Sequence, residues 1–132
     1  MKIFMVPVIF AVLGFSLGEN IVASIFGPKI NITTTTANLI YVYDGKDINE
    51  TLSSEESELL RKIFNNKTLY SDNPSCGFTE EVSIRFDDLA FCIACDDCPV
   101  VKLGEKVIKI SIKDRKTIVQ IFEKYGGKFP CV

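Results

Sequence analysis

The chain has 132 residues, 47% of them apolar, with 15 Lys and Arg against 17 Asp and Glu for a formal charge of −2. That length suits one domain with a modest core, and so slight a charge leaves no electrostatic footprint for nucleic acid or an anionic membrane. Histidine is absent, which removes Ser-His-Asp and Cys-His catalysis, His-containing zinc sites and imidazole switching together.

Residues 1–18 have the order of a secretory leader. Lys2 supplies the positive region, Ile3 to Phe15 form the apolar run, and Ser16-Leu17-Gly18 puts small residues at −3 and −1 of a cleavage site. The run is shorter than the roughly 20 apolar residues of a membrane span, and Glu19 and Asn20 follow it closely. The expected mature chain starts at or near Glu19, forms a single domain over 19–132 and meets an oxidising, extracytoplasmic compartment. No membrane insertion is expected after cleavage.

Residues 19–38 look irregular or edge-like, with Gly27-Pro28 as a break and Thr33 to Thr36 as a β-prone polar run. Asn31-Ile32-Thr33, Asn49-Glu50-Thr51 and Asn66-Lys67-Thr68 are sequons. In a eukaryotic secretory pathway Asn31, Asn49 and Asn66 would be exposed and glycan-bearing. Leu39 to Tyr43 is a strand, closed by the turn dipeptide Asp44-Gly45. Ser53 stands three residues before Glu56, the spacing of a capping box, and opens a helix. Leu59, Leu60, Ile63 and Phe64 are its apolar face, and Asn65-Asn66 ends it. Glu55, Glu56 and Glu58 favour the helix dipole from the first turn, a commoner reason for such a run than acid–base chemistry. Lys67 to Ser75 is a loop.

Val82, Ile84 and Phe86 alternate with Glu81, Ser83 and Arg85, and Asp87-Asp88 turns into Leu89, Phe91 and Ile93. A two-residue hairpin pairs Phe86 with Leu89, Ile84 with Phe91 and Val82 with Ile93, so all six apolar side chains share one face. Phe91→Ala is then expected to cost ~3–5 kcal/mol, and Ser83→Ala, on the other face, less than ~0.5 kcal/mol. Gly104-Glu105 turns a second hairpin, pairing Leu103 with Lys106 and Val101 with Ile108, with Ile110 on the same face. Ser111 caps a second helix with Asp114 at its third position. Ile118, Ile121, Phe122 and Tyr125 are its stripe, Gly126 is its stop, and a short tail carries Cys131.

The expected fold is α+β: an antiparallel sheet of two or more hairpins with two amphipathic helices packed on one face. Both helices run from a serine cap through an acidic third position to an Ile-Phe pair, after a strand and a glycine-containing turn. An ancient hairpin-helix duplication would give that echo, and so would convergence of two capped helices.

The five cysteines are Cys76, Cys92, Cys95, Cys98 and Cys131, three of them in Cys92-Ile93-Ala94-Cys95-Asp96-Asp97-Cys98. In a small exported chain they are disulfide candidates first. Cys92 falls on the hairpin face opposite the apolar one and Cys95 continues the apolar face, so the two point apart. Links from the cluster to Cys76 and Cys131 follow, leaving one thiol free. A redox role for Cys95-Asp96-Asp97-Cys98 meets two carboxylates that raise thiol pKa values, on a strand end rather than a helix start. Cys92, Cys95 and Cys98 resemble a bacterial ferredoxin run in spacing, but proline follows the third cysteine and the fourth is missing, so a four-sulfur zinc or iron site would have to be completed by Cys76 or Cys131. Asp87-Asp88 and Asp96-Asp97 lie at opposite ends of one strand, about 20 Å apart at strand rise, and are solvated turns rather than one calcium site.

Asn73-Pro74-Ser75-Cys76-Gly77-Phe78 is similar to the Asn-Pro-Thr-Thr-Gly-aromatic loop of chagasin-type inhibitors of cysteine peptidases, over six residues with two substitutions. The resemblance implies peptidase inhibition on an all-β immunoglobulin-like fold with further glycine-rich and Arg-Pro-aromatic loops. Gly126-Gly127 and Phe129-Pro130 match those loops only in part, and two capped helices run against the fold. The function expected from the residues is a disulfide-stabilised module that binds an extracellular protein or glycan, with no catalytic residue and no cofactor. A thiol-redox or cysteine-ligated metal protein is the alternative, and a peptidase inhibitor a further one.

Overall fold

A computed structural model describes residues 29–71 and 76–131. The leader at 1–18 with its cleavage site, the Gly27-Pro28 break and Asn73-Pro74-Ser75 lie outside them. Six strands form one antiparallel sheet in the order β2-β1-β3-β4-β5-β6. They are β1 (Asn38–Tyr43), β2 (Lys46–Thr51), β3 (Val82–Phe86), β4 (Leu89–Ile93), β5 (Val100–Leu103) and β6 (Lys106–Lys109). Helix α1 (Ser54–Phe64) separates β2 from β3, and α2 (Ile112–Lys124) follows β6. The fold is α+β.

Turn chemistry sets the registers. Asp44 and Gly45 take φ of 53° and 80°, the paired positive values of a two-residue hairpin whose twist matches its strands. In the other two tight turns only the first residue has positive φ, 55° at Asp87 and 62° at Gly104, as in the second favoured class of two-residue hairpin. Phe86 pairs with Leu89 and Ile84 with Phe91, while Leu103 pairs with Lys106 and Val101 with Ile108, as the alternation requires. Tyr41 sits opposite Val82 and Leu39 opposite Ile84, so β1 extends the apolar row. Phe64 of α1 stacks on Phe91 at 4.3 Å and 4°. Phe122 of α2 meets Tyr41 at 6.1 Å. Leu60, Ile63, Ile118 and Ile121 complete the core between them.

β2 is an element that apolar alternation does not announce. Its residues, Lys-Asp-Ile-Asn-Glu-Thr, are almost all exposed, and Ile48 alone leans on the core. β1 pairs with it along its whole length. At the opposite edge Tyr70 exchanges both backbone hydrogen bonds with Val107 of β6, at 2.8 and 2.9 Å, and Lys109 lies 5.2 Å from its ring centre.

Two side chains depart from expectation. Leu59 is 44% exposed rather than buried. Ser57 is buried in α1 and its Oγ accepts the Ala37 N–H at 3.0 Å. The chain before β1 therefore presses on that turn of helix, and a small polar side chain fits there better than a leucine. Ser83 is fully buried on the sheet's second face, where its hydroxyl donates to the Glu80 carbonyl at 2.8 Å. The approach to β3 covers that face locally, which strand alternation alone does not show.

Both helix starts have the expected caps. Ser53 and Glu56 form a reciprocal capping box, each bond 3.1 Å, and Ser111 Oγ accepts the Asp114 N–H at 3.0 Å. Gly126, with φ 105°, ends α2. The chain then returns over β1. A Cβ at Gly127 would stand 3.1 Å from the Phe122 carbonyl and 3.2 Å from Tyr41, and the Tyr41 hydroxyl donates to the Lys128 carbonyl at 2.7 Å.

Candidate functional site

The cysteine run lies where β4 leaves the sheet, and three strands of chain converge on it. The Cys95 N–H donates to the Gly77 carbonyl and its own carbonyl accepts the Cys131 N–H, both at 3.0 Å. The approach to β3 and the tail therefore flank it on either side. Asp96 Oδ1 then accepts the Cys98 N–H at 3.1 Å, the local side-chain turn by which aspartate reverses a chain. Cys98 is joined to Cys76 in a disulfide. Cys92, Cys95 and Cys131 are buried thiols.

Arg115 organises this corner from α2. It is 8% exposed, and its guanidinium donates to the carbonyls of Ala94 and Cys98 at 3.1 Å each and to that of Asp96. The planar fork spans three carbonyls of one bend, a geometry an ammonium cannot reproduce. Burial pulls its pKa down, and Asp97 and Asp96 pull it back up. Phe129 lies 5.7 Å from the guanidinium carbon and packs edge-on against Phe122 at 5.3 Å. The Phe129-Pro130 peptide is cis. Sequence reasoning did not single out Arg115, although the signal is present. It stands three residues before Ile118, on the stripe that the apolar residues define.

Beside this corner, α2 and the tail border an open groove of about 530 Å³. Pro99, Val119, Phe129 and Pro130 give it apolar walls, and Asp97, Lys116 and Glu123 give it charge of both signs. Ile112 lies at its edge and is 80% exposed.

Comparison with known protein families, curated proteins and solved structures finds no match. The chemistry of the site must be judged on the residues themselves.

The cysteines separate into three environments. Cys92 pairs with Ser83 and Lys102 across the sheet, on the face away from the core cluster that holds Cys95 and Cys131. Burial first, and Glu80 second, push its thiol above the usual value. Cys131 is pushed up as well, by burial and then by the neighbouring Cys95 thiol. Raised values suppress the thiolate that redox chemistry and metal ligation need. Among the described residues, Cys76, Asp96 and Cys98 bring three ligand atoms within 4.8 Å of one another. Their two sulfurs are bonded to each other, and a ligating sulfur must be a free thiolate. Cys92 and Cys95 stand outside that group.

The inhibitor-like loop enters the corner through its second half, since Cys76 forms the disulfide and Gly77 binds Cys95. The meander sheet with two helices is not the immunoglobulin-like sandwich that the resemblance implies. The sequon residues Asn31, Asn49 and Asn66 are all exposed. No described helix is long and apolar enough to cross a membrane.

Proposed function

We propose that this chain is exported and acts as a disulfide-stabilised binding module, holding a segment of an extracellular protein in the groove along α2 without catalysis. The observation that carries the reading is Ile112, a large apolar side chain left in solvent at the edge of a groove with a rigid wall. A contiguous apolar wall with a charged rim is the anatomy of a protein-binding surface, and Pro99, Val119, Phe129 and Pro130 continue the wall inward from Ile112. Arg115 and the Cys76–Cys98 bridge hold that wall in place, so little ordering cost would accompany binding. The leader-like N-terminus, the disulfide and the three exposed sequons support export with glycosylation.

The finer architecture belongs to the same reading. Both helices lie on the apolar face of the sheet, which leaves the outer flank of α2 for a partner. β1-β2-α1 and β5-β6-α2 are two copies of one hairpin-helix unit; their shared serine caps and tight turns support this.

The test places a photo-crosslinking residue at position 112 and, as control, at position 46 on β2. The exported protein is then irradiated in the extracellular fluid of the cells that make it. A discrete protein adduct at 112 is expected, competed away by unlabelled protein and lost with Val119→Asp. Equal adducts at both positions, a glycan adduct or none at all would overturn the reading. N-terminal sequencing of the exported form should begin at or near Glu19, and an intact Met1 would refute export.

A further inference from the structure

We propose that Cys95 and Cys131 are the two halves of a second disulfide, closed by exchange with a small-molecule disulfide such as oxidised glutathione, and that Cys92 alone stays a thiol. The compartment assumed here rests on the reading of export above. The pairing itself rests on geometry. The 3.0 Å bond from the Cys131 N–H to the Cys95 carbonyl sets the two backbones side by side, at about the 5 Å spacing of neighbouring strands. That falls within the roughly 4.4–6.8 Å a disulfide spans. Both side chains enter the same core cluster, at 5% and 4% exposure, and the Cys95 thiol is near enough to push the Cys131 thiol up.

Alternative partners are ruled out in turn. Cys76 and Cys98 are already joined. Cys92 faces the other side of the sheet, beside Ser83 and Lys102, so a bridge from it to Cys131 would have to pass through the sheet.

The exchange balances as two displacements. The Cys95 thiolate attacks one sulfur of the small disulfide, forming a mixed disulfide and releasing one small thiol. The Cys131 thiolate then attacks the Cys95 sulfur, forms the Cys95–Cys131 bond and releases the second. Two protein thiols give up two protons and two electrons, and the small disulfide takes them up as two thiols. The reaction belongs to folding, while the tail is open, because burial afterwards closes both sulfurs to the small disulfide.

A tryptic map would leave Cys92, Cys95 and Cys98 on one peptide, so the test uses cleavage before aspartate, which cuts between Cys95 and Asp96. The protein is purified reduced, refolded with oxidised glutathione, unfolded without reductant and alkylated. Residues 88–95 should be found linked to the peptide carrying Cys131, with the alkyl group on Cys92 and one reactive thiol per chain. Cys131→Ser removes the resolving thiol, so Cys95 should be found unbridged, either alkylated or still carrying glutathione as its mixed disulfide. Alkylation of both Cys95 and Cys131 in the unsubstituted protein, or a link through Cys92, would overturn the proposal. So would a Cys131→Ser protein in which Cys95 carries neither an alkyl group nor glutathione. Because the oxidation is done in vitro, a failure of export leaves this result standing.

Discussion

Arg115 donates to three backbone carbonyls past the end of β4, that of Ala94 buried and those of Asp96 and Cys98 partly so. Hydrogen bonds to a charged donor contribute about 1.5–3 kcal/mol each, and a stranded buried acceptor costs on a similar scale. Arg115→Lys keeps the charge but loses the fork, so it should lower the unfolding free energy by about 2–3 kcal/mol in urea titrations. Arg115→Met should cost more, because no donor remains at all. The residue was legible only in part. Its position on the apolar stripe of α2 was visible, but the carbonyls it serves come from a bend whose shape no local pattern encodes. Ser83 and Leu59 were misread for a related reason. Alternation tells which face a side chain takes, and says nothing about what the rest of the chain lays over that face.

Between elements, Glu56 does more than cap its own helix. Its carboxylate accepts from Ser53, from the Tyr125 hydroxyl at 2.6 Å and from Lys124 at 2.7 Å, and so ties the start of α1 to the end of α2. Burial pushes the carboxyl up, but the hydrogen bonds from Lys124, Tyr125 and the Ser53 cap outweigh it and hold the pKa at about 2. A carboxyl depressed in the folded state stabilises the fold above its unfolded value near 4.5. That contribution is lost as pH falls from there through about 2. Urea titrations across that range should therefore show wild type losing its advantage over Glu56→Gln as acid is added. The capping box was readable from spacing. The link to Lys124 and Tyr125 was not, since it joins residues far apart in the chain. β2 escaped notice because it buries little, with Ile48 alone leaning on the core, and so shows no alternation. The Asp44-Gly45 turn was its one signal, since such a turn requires a strand on each side.

For the whole molecule, the Cys76–Cys98 disulfide pins the approach to β3 onto the β4–β5 connection across a sequence separation of 22. Closing a loop of that size removes about 3 kcal/mol of freedom from the unfolded chain. The Cys76→Ala, Cys98→Ala double variant should lose close to that amount in equilibrium unfolding while keeping the sheet. The central hairpins were legible because each slip of register would expose an entire apolar set. The cysteine pairing was legible only as far as faces go. Cys92 and Cys95 had to point apart, but Cys98 follows an aspartate turn that frees it from the strand's alternation, and its partner is decided by how the loop before β3 folds back.

The unequal edges of the sheet bear on how copies of this chain could join. Addition of strands without limit requires one edge to offer hydrogen bonds and another to receive the next copy. Tyr70 has already taken both outward groups of Val107, which leaves β2 as the uncovered side among the described residues. Two copies meeting through β2 would do so by a two-fold axis, and that pairing uses up the open side of each. Association through the β2 edges of two folded chains therefore closes on itself as a pair.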